Sequence, residues 1–437
     1  MRVGIGAGIE RGCAARHPYP MTHSARTGCS TLLFWLVLGC GSSRAESADD
    51  AGRTADAGQG DSLVGSLRPD GDAAVGDAGS LRDDALSGDT GLQPDPCIEA
   101  GTCPPGVWTN VTPSDMSRAV LRPTQNAFGP GSIVGDPARP SDMYVGGSAA
   151  GLWKSSDYGT RWSQINSTLP DVPRGVVIAV AGTTPPTIWW AGYNVIYKSI
   201  DGGATFKMTT INQSLYSLKV DPNDSNHLVS GLHEVDGIVE STDGGSTWRV
   251  VGGVGFPSGG KSWYPYFIDT GDPTTTRTAW FAIAQNGGSA VVTTDGGGHW
   301  SIPNGLNGLQ HPHGNSQIYQ DGSTLFVAGD NGAGDRGVYR SVDRGANWSR
   351  VDSGQASEAV VWGTTANVYA MYAWACSGCN LGTQFEMAPQ PGIAWSKGSV
   401  PSDLVIGPNS VVVTKEGTHF VFVAVMWDEG IWRFVEP

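Results

Sequence analysis

Carboxylates and flat rings recur together in a few short, glycine-rich segments of this 437-residue sequence. "GLHEVDG" (231–237), "AGDNGAGDRG" (328–337), "AWACSGCNLGTQFEM" (373–387) and "VMWDEG" (425–430) supply His233, Glu234, Asp236, Asp330, Asp335, Trp374, Trp427, Asp428 and Glu429. "PSDMSRAVLRPTQNAFGPG" (113–131), "GGVGFPSGGKSWYPYF" (252–267) and "NGLNGLQHPHGNS" (304–316) add Arg118, Arg122, Trp263, Tyr264, Tyr266, His311 and His313. Two carboxyl groups facing each other across a cleft can divide the work of general acid and general base, the chemistry of glycoside cleavage. Glu234, Asp330, Asp335 and Asp428 are the candidates for those roles. The same residue types also suit binding without turnover, because sugars stack on rings and hydrogen-bond to acids. The bland alternative is that these are polar loops with aromatics capping a pore.

His311-Pro312-His313 raises a metal reading, with Asp330 as a third ligand, since alternating residues of an extended segment point to one side. The intervening proline and the lack of a second cluster favour hydrogen bonding in a pore lining instead, so no metal and no cofactor is expected. "DPNDS" (221–225) has the alternating acids of a calcium loop. It also matches "DPARPSD" (136–142) and "DTGDPTTT" (269–276), and reads as the same kind of turn.

The elements that must carry these loops are set by a repeat. "SSDYGTRW" (155–162), "SIDGGATF" (199–206), "STDGGSTW" (241–248), "TTDGGGHW" (293–300) and "SVDRGANW" (341–348) share the pattern S/T-x-D-x-G-x-x-W/F, at spacings of 44, 42, 52 and 48 residues. Each copy comes after a short apolar strand such as "GLWKS" or "GVYRS". The Asp side chain can accept backbone N–H bonds across a tight turn, Gly supplies a conformation that a Cβ resists, and the aromatic tucks beneath. A decayed copy, "APQPGIAW" at 388, puts Gln390 in the Asp position. "GIWRF" (430–434) is a further leading strand, with no turn or partner strand after it. "GVWTNVTP" (106–113) resembles the segments just after the boxes, such as "TRWSQINSTLP" and "STWRVV", yet has no blade before it. A period of 42–52 residues with four strands each is the propeller signature. Counting predicts an all-β, seven-bladed propeller over 106–437, its ring closed by the N-terminal strand completing the last blade.

The repeated phrase resembles the Asp-box, or BNR repeat, of sialidase-like, xyloglucanase-like and sortilin-like propellers. That resemblance places the turns between the third and fourth strands on the bottom face, so Asp157, Asp201, Asp243, Asp295 and Asp343 are expected to be structural, with ligands on the opposite face. A sialidase would need three Arg, a Tyr activated by Glu and an acid Asp. Its early R-I-P motif has only "LRP" (121–123) as a counterpart, and sialidases generally have six blades. The xyloglucanase type clasps a glycan between two seven-bladed propellers, whereas one is counted here. A photosystem assembly factor of the same group matches in size and anchoring but presents an Arg-rich face. The expectation is therefore an envelope-anchored propeller that recognises a ligand, a glycan or an envelope protein, on its top face. The alternatives are a glycoside hydrolase using paired carboxylates, which is the only enzyme class in view, and a protein-docking or assembly factor. A monomer is expected.

The N-terminal segment supplies the address. "CSTLLFWLVLG" (29–39) behind Arg26 is too short for an easy membrane span and reads as the apolar core of an export signal. Met21 gives a more ordinary start to that signal than Met1. Val37-Leu38-Gly39-Cys40 resembles a bacterial lipobox, which implies cleavage before Cys40 and lipidation of its thiol, with Gly41 favouring the outer membrane or cell surface. An ordinary signal peptide with an incidental Cys40 is the other reading. Residues 41–105 carry 13 acids and 4 bases and no aromatic residue. Such a chain cannot bury enough apolar surface to offset its ordering entropy, so it reads as a flexible acidic tether. Of the net charge of −14, about −8 remains after Pro105, which is no surface for tracking a phosphate backbone. Nucleic acid is not an expected partner, and membrane contact is expected only through the anchor. Four cysteines remain beyond the anchor, in two close pairs, Cys97 with Cys103 and Cys376 with Cys379. Two disulfides in an oxidising compartment fit them, with a redox or zinc motif at Cys376 and Cys379 as the alternative.

Overall fold

A computed structural model describes residues 103–437 except 117–129, 148–150, 166–168, 170–176, 193, 286, 312–316, 331–335, 353–358, 373–383, 403, 405–406 and 427–428. Every described residue lies within one compact unit, Val75–Pro437. Cys40, Cys97, Cys376 and Cys379 fall outside the described residues. Cys103 is disulfide-bonded. No helix among the described residues is long and apolar enough to cross a membrane.

The fold is a seven-bladed β-propeller. Its seven antiparallel sheets succeed one another along the chain. The first blade is β2 (Pro130–Asp136), β3 (Arg139–Gly147), β4 (Gly151–Ser155) and β5 (Ser163–Gln164), and the second is β6 (Val177–Ala181), β7 (Thr187–Gly192), β8 (Val195–Ser199) and β9 (Lys207–Thr210). The third is β10 (Lys219–Asp221), β11 (Asp224–Gly231), β12 (Ile238–Ser241) and β13 (Arg249–Val251). The fourth is β14 (Tyr264–Phe267), β15 (Trp280–Ile283) and β16 (Ala290–Thr293). The fifth is β17 (Ile318–Asp321), β18 (Thr324–Asp330), β19 (Arg336–Ser341) and β20 (Trp348–Arg350). The sixth is β21 (Ala359–Gly363), β22 (Asn367–Tyr372), β23 (Gln384–Pro389) and β24 (Ser396–Lys397). The seventh is β25 (Ser410–Glu416), β26 (His419–Met426) and β27 (Gly430–Val435), completed by β1 (Trp108–Asn110).

The closing strand pairs Trp108 with Phe434, Thr109 with Arg433 and Asn110 with Trp432. A ring closed by hydrogen bonds between its two ends has no free sheet edge at the seam. One blade departs from the expected four strands. In the fourth, the outer strand is reduced to a single bridge between Val292 and Ser301, because the incoming loop occupies the space beside it. Val254 donates its N–H to Gly298 O at 2.9 Å and accepts from Trp300 N at 2.8 Å. Gly253 is required there, since a Cβ would run into the carbonyls of Gly297 and Gly298.

The repeated turn sits between the third and fourth strands of its blade. Five buried hydroxyls, Ser155, Ser199, Ser241, Thr293 and Ser341, each donate to the Asp two residues on, at 2.7–2.9 Å. Each also accepts the N–H of the Gly four residues on, at 2.8–3.0 Å. The Asp in turn accepts the backbone N–H of its own i+4 residue, at 2.8–2.9 Å. Trp162, Trp248, Trp300 and Trp348 each donate the indole N–H to the carbonyl of the Gly three residues back. Every Asp of the set is thus bonded within its own turn, which leaves it a structural part. In the sixth blade Gln390 turns its amide to Thr364 O at 3.1 Å, while Trp395 keeps the bond to Gly392 O.

The core lies between blades, where facing sheets interdigitate. Trp189, Trp190, Trp263, Trp280 and Trp362 are fully buried. Burying one such ring contributes on the order of 2–3 kcal/mol. A polar network inside the third blade uses two more carboxylates: His227 Nδ1 lies 2.9 Å from Asp221 and Nε2 lies 2.9 Å from Glu240, whose other oxygen pairs with Arg249. Burial alone would raise the Glu240 carboxyl, but His227 and Arg249 outweigh it and hold it below the ordinary range.

Candidate functional site

The first strand of each blade lines the axis, and the loops that enter it share one end of the ring with the loops joining second to third strands. At that end the third and fourth blades meet in a joined cluster. Glu234 has a left-handed backbone (φ 55°) at the tip of the β11–β12 loop and donates its N–H to Ser262 Oγ at 3.0 Å. Asp236 accepts from Gly259 N at 2.8 Å and from the Trp263 indole at 3.4 Å, and it bridges Lys261 through the backbone. Two loops distant in sequence are therefore clasped, with the Glu234 carboxyl on an exposed turn.

The sequence suggests that Trp263 offers an open ring to a ligand. It is instead fully buried and packs among Val229, Ile238, Val251 and Trp280. Its indole donates to Gly260 O at 2.9 Å, the same three-residue bond that the repeated turns use. Gly231 and Gly260 permit this, because a Cβ on the first would meet the Trp263 backbone and on the second the indole. Tyr266 is 5 % exposed and belongs to the core between blades four and five. His311 is 3 % exposed, and its Nε2 donates to Ser262 O at 2.8 Å.

The half-buried Tyr264 and His233 belong to a cluster of rings at this end of the ring whose other members, Tyr216, Tyr266 and His311, are buried. Tyr264, half-buried, meets Tyr216 edge-on at 5.1 Å and His311 edge-on at 4.6 Å, and lies nearly parallel to Tyr266 at 6.4 Å. Half-buried His233 lies 5.3 Å from Tyr216. The Tyr216 hydroxyl donates to Gln285 Oε1 at 3.1 Å. Burial, with Tyr216 and Tyr266 beside it, pushes the Tyr264 hydroxyl well above its usual range. Lys219, on the innermost strand of the third blade, brings its ammonium to 5.0 Å from the Tyr266 ring centre. Loss of surrounding water lowers Lys219 to about 8. On the far side of the axis, Gln317 accepts the N–H of Val411, tying the fifth blade to the seventh past the sixth.

Asp330 ends β18, where its backbone exchanges two hydrogen bonds with Gln310, at 2.8 and 2.9 Å. Asp335, Asp428, Arg118, Arg122, His313, Trp374 and Trp427 lie outside the described residues. No group of three metal-ligating side chains occurs among the described residues. Sequence reasoning passed over Tyr216, Lys219, Ser262 and Gln285. Lys219 carried a readable signal, a lone cation inside the apolar strand "SLKV" (217–220) that lines the axis.

No protein-family profile matches the chain. A xyloglucanase from a Paenibacillus species is 29 % identical over 196 residues, which are 38 % of this chain and 18 % of that protein. The xyloglucanase Xgh74A of Acetivibrio thermocellus is 28 % identical over 215 residues, 42 % of this chain and 25 % of that one. The chain thus matches a quarter or less of the length of these curated relatives. Among solved structures, the GH74 xyloglucanase of Xanthomonas campestris superposes with a TM-score of 0.53 at 16 % identity, over 75 % of this chain and 53 % of that one. That likeness concerns the fold, and it agrees with the seven-bladed architecture.

Proposed function

We propose that the chain is a xyloglucanase-like glycoside hydrolase whose propeller engages a β-glucan chain at the Glu234 end of the ring. The observation that carries this reading is the sequence similarity to two curated xyloglucanases over about two-fifths of the chain. The Asp-box resemblance and the clasped loops of the third and fourth blades support it. Hydrolysis would need one carboxyl to protonate the leaving oxygen and another to activate water or attack the sugar, at the separations that distinguish inversion from retention. Glu234, Asp330, Asp335 and Asp428 are the candidates. Export and lipid attachment at Cys40 belong to the same reading and place the enzyme at the cell envelope.

The direct test is to incubate the purified protein with xyloglucan, other β-glucans and sialylated glycans, and to measure new reducing ends. Release from xyloglucan that is lost in one of Glu234→Gln, Asp330→Asn, Asp335→Asn or Asp428→Asn supports the proposal. No release from any glucan at stoichiometric enzyme sinks it. A second reading, glycan recognition without turnover, is favoured by one specific observation: the described residues form a single ring, which offers one wall of a cleft. Xyloglucan binding with no released sugar is its signature.

A further inference from the structure

We propose, on the basis of the glycoside hydrolase reading, that the Glu234 carboxyl is one of the two that act on the glycosidic bond and that Ser262 is the residue that positions it. Glycine fills most of the positive-φ positions among the described residues, and Tyr158, Asn194, Glu234, Ser262 and Arg344 are the exceptions. A Cβ is crowded in that conformation, and glycine is the unstrained choice. Tyr158 and Arg344 belong to the repeated turns, and Asn194 lies in the β7–β8 turn, where Asn is tolerated. Glu234 and Ser262, at φ 55° and 53°, come from the loops of two different blades and are bonded to each other, Glu234 N–H to Ser262 Oγ at 3.0 Å. Strained residues of this kind persist only where the structure around them fixes their conformation.

The surroundings of this pair do so. The backbone carbonyls of Lys261, Ser262 and Trp263 accept in turn from Gln285 N–H at 3.0 Å, His311 Nε2 at 2.8 Å and the Ser217 hydroxyl at 3.1 Å. The three donors come from three separate segments, so Ser262 has no freedom to relax. In the facing tip, Leu232 N–H bonds to Gly237 O at 3.3 Å, His233 N–H to Ser214 O at 2.9 Å and Glu234 N–H to Ser262 Oγ. The Ser262 hydroxyl, on a residue 1 % exposed, is thus the last hold before the exposed Glu234 side chain. The Glu234 carboxyl meets no donor among the described residues, so the fold makes no use of it. Glycine at 234 would remove the strain and keep every one of these backbone bonds. A side chain therefore stands where its backbone is costly, exposed on a rigid, buried frame, which is how a reactive group is held to one aim. Cleavage adds water across the glycosidic C–O bond, and the Glu234 carboxyl gives a proton to the leaving oxygen or takes one from the water.

A kinetic double-mutant cycle on the full chain, with xyloglucan as substrate, tests the pair. Glu234→Gln should lower kcat by at least about a hundredfold. Ser262→Gly frees the backbone and removes the hydroxyl, and it should lower kcat about tenfold with KM changed by less than about twofold. In the Glu234→Gln background the same change should cost less than about twofold, because Ser262 acts only through the carboxyl. A merely structural Ser262 would slow both backgrounds alike. Equal slowing in the two backgrounds, full rate in Ser262→Gly, or a loss of less than about tenfold in Glu234→Gln overturns the proposal. Should Ser262→Gly fail to fold, Ser262→Cys, close in size and with a sulfur that accepts only weakly, goes through the same cycle with the same expected outcome. No sugar released by the unaltered protein overturns the hydrolase reading and this proposal together, whereas release that is indifferent to Ser262 overturns this proposal and leaves the hydrolase reading standing.

Discussion

Arg433 donates its Nε–H to the carbonyl oxygen of Tyr158 at 3.1 Å, joining positions 275 residues apart in the chain. Arg433 lies on β27 of the last blade, and Tyr158 is in the repeated turn of the first. Arg433 is 4 % exposed, and its guanidinium also reaches Glu416. The bond therefore ties the two blades on either side of the closing seam, in addition to the β1–β27 pairing. Arg433→Met keeps the apolar stem and removes the donors. A loss of about 2 kcal/mol is expected, typical of hydrogen bonds to a charged group, read as a lower urea midpoint at unchanged slope. An unchanged midpoint would show that the strand pairing alone closes the ring.

A second lock is the Glu436 carboxylate, buried just past the closing register. One oxygen accepts from Thr364 Oγ1 at 3.0 Å, Asn367 Nδ2 at 2.8 Å and Tyr369 OH at 2.6 Å. It holds the seventh blade to the sixth. The Glu436→Ala substitution strands three donors and should cost about 3 kcal/mol, while Glu436→Gln, which keeps an acceptor oxygen, should cost less. Equal thermal midpoints for the two variants would argue against the carbonyl-type acceptor as the cause.

The fold was legible because its signals are local and repeated. Ser, Asp, Gly and Trp at fixed offsets make a turn whose bonds close within eight residues, so a linear reading recovers it. Even the unusual closure could be read, from "GIWRF" lacking a partner and "GVWTNVTP" lacking a blade. The site was less legible, because it depends on which side of a strand each ring faces. Trp263 looks like a ligand platform in "KSWYPYF" but is drawn into the core by Gly231 and Gly260, whose missing Cβ atoms make room for its backbone and indole. Lys219 went the other way. Its lone charge in "SLKV" is readable, but its place over the Tyr266 ring shows only when β10 and β14 stand side by side.

The residue before the invariant Gly of the five turns is also left-handed, a requirement that the repeat pattern did not reveal. Gly202, Gly244 and Gly296 fill that position in three turns, but Tyr158 and Arg344 fill it in the others, at φ 58° and 55°. A side chain there is strained. Arg344→Gly should therefore stabilise the protein by about 0.5–1 kcal/mol, visible as a raised melting temperature. A lowered melting temperature would mean that the extra backbone entropy glycine gives the unfolded chain, or the loss of a contact made by Arg344, outweighs the relief.

The turns also set a response to acid. The Thr205 hydroxyl and backbone hold the Asp201 carboxyl down at about 2, and the Asn347 side chain and backbone hold Asp343 at about 2. Both lie below the ordinary value of 3.8. The unfolded chain therefore takes up these protons first as pH falls. The stability these groups contribute is complete above about pH 4 and is lost as pH drops through about 2. Urea midpoints measured from pH 5 to pH 2 should fall steeply in the unaltered protein and less steeply in an Asp201→Asn, Asp343→Asn double variant. Parallel curves would show that other carboxylates govern the acid limb.

The clasp at Asp236 gives the sharpest test of the site itself. Its two oxygens hold Gly259 and the Trp263 indole, and the same pair of loops fixes the turn carrying Glu234 through Ser262. If the exposed Glu234 carboxyl works on a glycan, its aim depends on that clasp, although Asp236 itself need not touch the ligand. Asp236→Ala should cost about 1 kcal/mol of stability. It should lower kcat/KM on xyloglucan by about tenfold, carried mainly by kcat, since displacement of an acid or base group weakens the transition state more than the bound ground state. Asp236→Asn keeps an acceptor for the Gly259 N–H and should restore most of the rate. A purely structural residue would show the stability loss in both variants in proportion to their rates at the assay temperature. Asp236→Ala with full activity and only the stability loss would remove Glu234 from the catalytic candidates.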